Sequence, residues 1–585
     1  MKKNVMALSI AAMIGGLGFA GVASADVVVG TGAGTVADYA VSKINKPTAT
    51  NLQVANAGVG HALIVPYFNA QNGNMTVLHV TNTDQVNGKV AKVRFRSASN
   101  SDDLLDFQVF LSPGDVWTAA VTADANGLAQ IVTGDNTCTV PALTSGAAQP
   151  FNNSTARLPS YLTEAQRNAM TREGYIEIFN VADITALRAF DTNGALNAAG
   201  PNRSALYTAT KHVSGVAPCS VAGSAARTLL NNAAIADYTT EAQVAAAGLD
   251  SGSGGLMGDW YIINVPQTTT YSGAANAIVA NTAGNVPGVG NFRHFAQLGN
   301  PLVTLNADAA NGVTADPLFR NLNVFDATGA KVTTAALPML NYDAPDLSTP
   351  FFSAASSANT LLQSTNLLTA LSVRSITNQY ALDAGITAKT DWVFSMPARR
   401  YNVAANYAAV TGTGANGATT ANAKYRLFTD LNASGTQAGE WFYPAVSPAD
   451  YLTGAGTYKA GGNTSVDTNG NICVFADGQK FFDREETSAS AGPVFSPGTA
   501  SSVSFCGEVS VLAFQDTGNS VLGASAARNT VTSGFYTNGW GVIDTNNAAQ
   551  GLPILGAAFV KLSNPQAGVG ISGTYGITWE HRFTK

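Results

Sequence analysis

Charged side chains are scarce in this sequence of 585 residues. Asp, Glu, Lys and Arg make up 12% of it, about half the share that is usual for a soluble protein. The 31 basic and 37 acidic residues give a net charge of −6, and a mildly acidic chain is poorly suited to binding polyanions. We therefore expect no nucleic-acid partner. Asn, Thr, Ser and Gly must supply much of the polar surface, which can then pack against copies of itself with little repulsion.

Long apolar runs are also missing, apart from one at the start. Lys2 and Lys3 precede an uncharged apolar run over residues 5–19, and Ala23-Ser24-Ala25 follows. A basic region, a short apolar run and a small-residue cleavage site are typical of a secretory signal peptide, whereas a membrane anchor is longer. We expect export with cleavage after Ala25. No second stretch reaches 18 apolar residues, so we expect no transmembrane helix after cleavage.

Cysteine is rare, with four residues in the whole chain. An even number in an exported protein favours disulfides, and four cysteines allow three pairings. We predict Cys138–Cys219 and Cys473–Cys506, because each bond then lies within one half of the chain. No two cysteines have the C-x₂₋₄-C spacing of a zinc site, which argues against a metal at these residues.

Catalytic and cofactor-binding motifs are absent as well. The five histidines show neither H-x₃₋₅-H nor H-E-x-x-H spacing, and His79 and His581 lie on apolar faces of predicted strands, where we expect a structural role. No G-x-S-x-G elbow, P-loop or dinucleotide-binding glycine motif is present, and we interpret residues 252–255 (GSGG) as a flexible linker. We therefore predict that the protein is not an enzyme and has no catalytic or cofactor-binding residues.

Short alternating runs are the strongest positive signal. Residues 75–82, 91–96 and 106–111 alternate between apolar and polar side chains, as strands with one buried face do. Turn residues separate them, and this spacing predicts an antiparallel sandwich of roughly immunoglobulin type. One strand face carries only basic residues, and we expect exposed cross-strand pairs with nearby acids, each contributing tenths of a kcal/mol. The basic residues are Lys92, Arg94 and Arg96, and the acids are Asp102, Asp103 and Asp106.

Helical patterns are fewer. Two capping boxes of the form T-x-x-Q begin at Thr163 and Thr240 and predict helices, with Gly248 ending the second. Residues 361–373 have helical apolar spacing. Further strand-like runs occur at 174–179, 259–265, 376–382, 392–396, 473–475, 509–514, 556–560 and, as one continuous alternation, 574–583.

These patterns predict a mainly β protein with two immunoglobulin-like β-sandwich domains that carry helical and loop-rich insertions. We divide the chain into a signal peptide (1–25), an N-terminal extension (26–60), a β-sandwich domain with helical insertions (61–265), a loop-rich and helical connecting region (266–384) and a second β-rich domain (385–585).

Two groups of residues are candidates for ligand binding. Asp483, Glu485 and Glu486 place three carboxylates within four residues, which is a candidate Ca²⁺ site; a solvated turn with Arg484 also explains them, and we prefer it. The tryptophans could form a carbohydrate-binding platform, but most lie in strand-like runs, which favours core packing. They are Trp117, Trp260, Trp392, Trp441, Trp540 and Trp579.

Several strings resemble a group of exported proteobacterial cell-surface proteins of poorly defined function. They include residues 62–68 (ALIVPYF), 111–117 (LSPGDVW), 345–350 (PDLSTP) and 483–486 (DREE), and similar strings are spread over nearly the whole mature chain. The resemblance implies a surface location and a coat role, and it carries no catalytic motif. Gln379 is neutral where the group often has an acidic residue. No C-terminal sorting helix is present, so retention at the surface would need non-covalent contacts.

Four hypotheses follow. The first is a non-enzymatic structural protein on the outer surface of a Gram-negative bacterium, a self-assembling surface-layer component with divalent cations between copies and lipopolysaccharide as the anchor. The second is an adhesin that binds glycans or surfaces. The third is an outer-membrane β-barrel, suggested by the alternation that ends at Phe583 and opposed by the long non-alternating stretches and the cysteines. An exported hydrolase is the weakest alternative.

Overall fold

The computed structural model confirms a mainly β protein, with 51% of the described residues in strands and 13% in helices. The predicted signal peptide, Glu485, Glu486 and residues 294–359 lie outside the described ranges. Those ranges are 49–155, 162–186, 204–236, 241–282, 360–401, 471–484, 501–514, 520–526, 538–545, 550–564 and 573–585, with short pieces at 27–28, 158–159, 238, 284, 287–288, 292–293, 404–406, 426–428, 441–442, 463–466, 528–531 and 567–568.

The first half of the chain is built mainly from strands, with four helices between them. The strands are β1 (Val27–Val28), β2 (Asn51–Val54), β3 (Val59–Gly60), β4 (Ala62–Asn69), β5 (Asn74–Asn82), β6 (Gly88–Ser97), β7 (Asp103–Leu111), β8 (Val116–Ala123), β9 (Ala129–Val132), β10 (Cys138–Val140), β11 (Ala148–Pro150), β12 (Glu173–Ile184), β13 (Leu249–Ser251), β14 (Leu256–Asn264), β15 (Thr269–Ala274), β16 (Asn276–Asn281) and β17 (Phe292–Arg293). The helices are α1 (Glu164–Met170), α2 (Ala205–Thr210), α3 (Ala225–Ile235) and α4 (Glu241–Ala246).

These strands form two large antiparallel sheets. Sheet 1 has the order β10-β7-β6-β12-β4-β16-β2, with β13 attached to β12. Sheet 2 has the order β11-β9-β8-β5-β14-β15, with β3 attached to β14. The sheets face each other in a sandwich-like arrangement, since Phe107 of sheet 1 meets Trp117 of sheet 2 with ring centroids 5.5 Å apart. The short strands β1 and β17 pair separately.

The two sheets differ in how fully they are buried. Strand β8 alternates between buried and more exposed residues, as a strand with one buried face does. Strands β6, β7 and β12 are instead buried along their whole length. The prediction of one buried face is therefore wrong for β6 and β7, because sheet 1 is covered on both sides.

Local helix signals agree with the structure. Thr163 caps α1 in a complete capping box with Gln166, and α4 is followed by Gly248 at φ +81°, a left-handed conformation that favours glycine. Residues 252–255 do not form a flexible linker as expected, because Gly252 and Gly254 pack so closely that an added Cβ would lie 2.5 Å from the Asn180 carbonyl oxygen and 2.9 Å from the His61 ring.

Four strands of the two sheets fall in segments that the sequence analysis left without sheet structure. Strands β2 and β3 lie in the expected N-terminal extension, and β15 and β16 lie in the expected loop-rich region. Strand β15 (TTYSGA) has few apolar residues, so its alternation is carried by buried threonine and tyrosine, which the apolar pattern does not reveal.

The second half contains a helix and a further set of strands. These are α5 (Thr360–Leu371), β18 (Ser372–Val373), β19 (Ser375–Ala381), β20 (Lys389–Ser395), β21 (Ala404–Asn406), β22 (Arg426–Phe428), β23 (Thr464–Val466), β24 (Ile472–Phe482), β25 (Ser501–Cys506), β26 (Val509–Phe514), β27 (Arg528–Val531), β28 (Asn538–Asp544), β29 (Leu552–Pro553), β30 (Leu555–Ser563), β31 (Thr574–Glu580) and β32 (Arg582–Thr584).

Two larger sheets again enclose an aromatic core. Sheet 3 has the order β23-β24-β28-β19-β32, with β25 attached to β24, and sheet 4 has the order β27-β26-β20-β30-β31. All pairings within them are antiparallel except β26 with β27. Trp392 of sheet 4 meets Phe481 of sheet 3 at 5.8 Å, and Tyr380 of sheet 3 stacks on Phe514 of sheet 4 at 4.9 Å between ring centroids.

The C-terminal alternation is two strands and not one. β31 pairs with β30 in sheet 4, whereas β32 pairs with β19 in sheet 3. The chain passes from one sheet to the other at His581, which is buried. Its Nε2 donates to the Val393 carbonyl at 3.0 Å, and its Nδ1 accepts from the Asn378 amide group at 2.8 Å. This supports a structural role for His581, and its burial lowers the pKa to about 3.

Both predicted disulfides are present. Cys138–Cys219 ties the segment between α2 and α3 to the edge strand β10 of sheet 1. Cys473–Cys506 joins β24 and β25 at positions that pair directly. The buried apolar residues of both halves form one cluster, in which Phe559 of β30 contacts the rings of Tyr67, Trp260 and Tyr271 from the first half.

Candidate functional site

The basic residues of β6 point into the protein. The side chains of Lys89, Lys92, Arg94 and Arg96 are between 0% and 6% exposed. Our expectation of exposed cross-strand pairs worth tenths of a kcal/mol is therefore wrong, because water does not screen these charges. A buried charge must be paired, so the acids that face these residues become essential parts of the fold.

Three of these residues pair within the first half, and the weakest contact joins Arg94 Nε to Asp103 Oδ2 at 3.8 Å. The Lys92 ammonium binds the Asp106 carboxylate of β7, as the sequence suggested, and its burial lowers the pKa of Lys92 against the opposing effect of Asp106. Lys89 binds Asp183 of β12 at 2.7 Å and the Ser253 hydroxyl at 2.9 Å. Ser253 lies in the 252–255 segment, so the packing of this segment serves an ion pair.

Arg96 belongs to a group of charges that crosses between the halves. Its Nε donates to Glu177 Oε2 of β12 at 2.8 Å, and Nη2 of Arg400, from the second half, donates to Glu177 Oε1 at 3.1 Å. Beside them, Nη2 of Arg399 lies 2.6 Å from Oε2 of Glu508. All five side chains are at most 1% exposed. We call these five residues the Glu177 cluster.

The surroundings of the cluster are polar but closed to solvent. Nη1 of Arg399 donates to the carbonyls of Ile472 and Gly507 at 2.8 and 2.9 Å. The Tyr175 hydroxyl donates to Ser101 Oγ at 2.9 Å. Burial raises the pKa of Glu508, which the nearby Arg399 partly opposes, and burial together with the Glu177 and Glu508 charges raises the pKa of Tyr175.

Two tight turns bring the halves close enough for these contacts. Ser101, in the turn between β6 and β7, has φ +64°, and Gly507, in the turn between β25 and β26, has φ +91°. An added Cβ on Gly507 would lie 2.7 Å from the Ala98 carbonyl oxygen, so only glycine allows this approach. The Glu508 and Val509 amides then donate to the Ser99 and Ala98 carbonyls at 3.1 and 3.0 Å, two and three residues beyond Cys506 of the Cys473–Cys506 disulfide.

A second junction is formed by the loop 520–526. Asn69 and Asn74 of the first half donate to the Leu522 carbonyl at 3.0 and 2.7 Å. The Glu173 carboxylate accepts from the Ser525 and Ala526 amides at 2.6 and 2.9 Å, while burial raises the pKa of Glu173. Asp391 holds the other end of the loop through the Leu522 amide. The loop is thus bonded to both halves.

The chemistry of the Glu177 cluster is that of a cross-link. A guanidinium stays protonated and so cannot act as a general base, and each carboxylate already faces at least one guanidinium. Buried ion pairs add little net stability over apolar packing, but removing one partner is severely destabilising. The cluster therefore fixes one relative position of the two halves.

The candidate Ca²⁺ site is described only in part. Asp483 lies just after β24, while Glu485 and Glu486 fall outside the described residues. Among the residues that the structure describes, no three His, Cys, Asp or Glu side chains come together in a way that could hold a metal ion.

The tryptophans divide as their positions suggested, with one exception. Trp117, Trp260, Trp392 and Trp441 are buried, and Trp579 is half-buried, whereas Trp540 is 41% exposed. The core-packing interpretation holds for the first four, and Trp540 is a surface residue.

We did not predict a role for Glu177, Arg399, Arg400 or Glu508 from the sequence. A usable signal was present in β12, where Glu177 interrupts the apolar run GYIEIF. An acid inside an apolar run needs a buried partner, and the structure pairs Glu177 in register with Arg94 of β6, one of the basic residues noted in the sequence. Nothing local indicates Arg400, which is 223 positions away.

No known protein family, curated protein or solved structure matches the chain. In the described part of the chain, no helix combines the length and the apolar character that a bilayer crossing requires. The two disulfides indicate an oxidising environment, either extracellular or periplasmic.

Proposed function

We propose that the protein is a non-enzymatic structural component of the bacterial cell surface, which associates with copies of itself into a coat. The disulfides support export, since such bonds persist outside the cytoplasm. A coat subunit must keep one shape while it is loaded by its neighbours. The internal construction of this chain serves that requirement.

The Glu177 cluster is the observation that carries the proposal. It places Arg96, Glu177 and Arg400 in one buried contact between the halves, and the 520–526 loop makes a second junction. Relative motion of the two halves would separate buried opposite charges, which is strongly unfavourable.

The insertion tied down by Cys138–Cys219 offers a contact surface for a second copy. Val213, Val216 and Val221 are 65%, 42% and 56% exposed, and they lie on or beside a tight hairpin with positive φ at Ser214 and Gly215. Exposed apolar side chains that are held rigidly are typical of protein–protein contacts.

Surface labelling of intact cells and electron microscopy of shed material test the proposal. We expect the protein on the outside, in ordered sheets, and we expect the purified mature protein to form assemblies with or without Ca²⁺. Val213→Asp with Val216→Asp should leave the melting temperature unchanged and reduce assembly. A surface without a lattice, together with a monomer at all Ca²⁺ concentrations, would rule out the coat.

A further inference from the structure

The outer face of sheet 3 presents side chains in straight rows set by the strand register. Phe482 of β24, Trp540 of β28 and Gln379 of β19 form one row. The next row contains Lys480, Val542, Thr377 and Arg582, on β24, β28, β19 and β32. Successive residues on one face of a strand are two positions apart, so both rows lie on the same side of the sheet.

Trp540 and Phe482 form a flat aromatic surface on this face. Their rings stack with centroids 4.4 Å apart and an angle of 17°. Trp540 is 41% exposed and Phe482 is half-buried. Burial of the large apolar area of an indole is favourable, so an indole that a β-sheet holds exposed to water is unusual.

The opposite face explains why Trp540 cannot turn inward. Gly541, next to Trp540, faces the core, and an added Cβ there would lie 2.3 Å from the Phe481 ring and 3.0 Å from the Trp392 ring. The inner side is thus filled by other aromatic residues. The Trp540 indole therefore lies on the outer face because the inner face has no space for it.

Two cations flank the aromatic surface. Lys480 and Arg582 are both exposed. They lie at the two ends of the row next to the aromatic row, three strand spacings or about 14 Å apart. A carboxylate or phosphate at each end would meet an opposite charge. The aromatic row lies about 7 Å further along the strands, so one extended ligand can reach both rows.

We propose that this face of sheet 3 binds an acidic polysaccharide. The C–H faces of its sugar rings pack on Trp540 and Phe482, because these hydrogens carry partial positive charge and the ring faces are negative. Its anionic groups bind Lys480 and Arg582, and its hydroxyls reach the Gln379 amide. The inference rests on the surface location proposed above and supplies the non-covalent attachment; it does not depend on a lattice.

Binding of the mature protein to three probes tests this assignment. These are phosphorylated lipopolysaccharide, a soluble polyuronate and neutral dextran, measured by calorimetry and tryptophan fluorescence. We expect binding to one or both anionic probes and much weaker binding to dextran. The stronger of the two anionic probes identifies the source of the natural ligand. Failure to bind any of them would overturn the proposal.

Variants separate stacking from charge. Trp540→Ala should weaken binding at least tenfold, and Lys480→Gln with Arg582→Gln should weaken it and reduce its salt dependence. Tyr575→Ala is the matched control, because Tyr575 is also an exposed aromatic residue, 61% exposed, but on sheet 4. Unchanged affinity in both the Trp540 and the charge variants, with melting temperatures like that of the parent, would contradict the site.

Microscopy of the same variants distinguishes this inference from the proposed function. If Trp540→Ala releases the protein from cells while shed material still forms sheets, the face is an anchor and the coat proposal stands. If the purified protein binds the anionic probes and never assembles, the glycan site stands and the coat proposal fails.

Discussion

The two halves of the molecule differ in the side chains that fill their interiors. In the first half, β6 brings four cations into sheet 1, and acids on neighbouring strands neutralise them. In the second half, the space between sheets 3 and 4 is filled by rings such as Trp392, Phe481 and Phe514. An apolar core tolerates variation in detail, whereas a paired charge fails when one partner is lost. The first half should therefore be the more sensitive to single polar substitutions.

The largest effect should follow from Glu177→Gln. This change keeps the side-chain size but leaves Arg96 and Arg400 buried without their shared counter-charge, so we expect a loss of about 3–5 kcal/mol in the free energy of unfolding. Urea unfolding followed by tryptophan fluorescence measures it. Glu580→Gln, at an exposed position of β31, is the control and should change stability by less than about 0.5 kcal/mol. A loss below 1 kcal/mol for Glu177→Gln, roughly that of a surface pair, would mean that the cluster is not essential.

Removal of each disulfide compares a bond that lies near the Glu177 cluster with one that lies far from it. Loop-closure entropy over 81 and 33 residues predicts a loss of about 4 kcal/mol for either paired Cys→Ser variant. The two should differ when combined with Glu177→Gln. Cys473–Cys506 adjoins Glu508, so its removal should be non-additive with Glu177→Gln, whereas removal of Cys138–Cys219 should be additive. Equal additivity in both double-mutant cycles would argue against a local link between that disulfide and the cluster.

In the second half, the free energy of unfolding should fall at acidic pH because of one residue, His581. His581 has an unfolded pKa near 6.5 and a folded pKa of about 3, so the unfolded state binds the proton first as pH falls. Its contribution is fully present above about pH 6.5 and is lost towards pH 3, by roughly 3 kcal/mol between pH 7 and pH 4. Unfolding free energies of wild type and His581→Gln across this range give the difference. A constant difference would show that the ring does not titrate on unfolding.

The smallest effect on stability should come from the N-cap of helix α1 in the first half. Thr163→Ala removes the oxygen that accepts from the Gln166 amide at the start of α1 and should destabilise by about 1 kcal/mol. Differential scanning calorimetry would detect this as a small fall in melting temperature. Thr122→Ala, at a half-buried position of β8, is a comparison without a capping role. A loss like that of Glu177→Gln would show that surface and buried polar groups contribute alike here.

The sequence was informative wherever structure depends on near neighbours. The capping box at Thr163, the end of α4 at Gly248 and the strands β5 to β7 follow from local patterns. The pairing of four cysteines also followed from their distribution along the chain. The helix ends and the strands are decided by residues that are close in sequence, whereas the paired cysteines are 81 and 33 positions apart.

The sequence was misleading where a distant segment changes the surroundings. Alternating charge on β6 is normally a solvent-facing pattern, and only the docking of sheet 1 against other parts of the chain makes it internal. At the C-terminus the alternation continues through His581, yet the chain changes sheets there. Period-2 patterning records which side a residue faces and not which sheet pairs with the strand.

The contact between Arg400 and Glu177 has a consequence for the order of folding. Arg96 and Glu177 lie on adjacent strands, so they can meet early, while Arg400 must arrive across 223 positions of chain. Contacts of such long range close slowly. The Glu177 carboxylate must also lose its water when Arg400 arrives, which raises the barrier to folding. We therefore expect a long-lived folding intermediate in which the first sandwich has formed and its charged side chains are still hydrated.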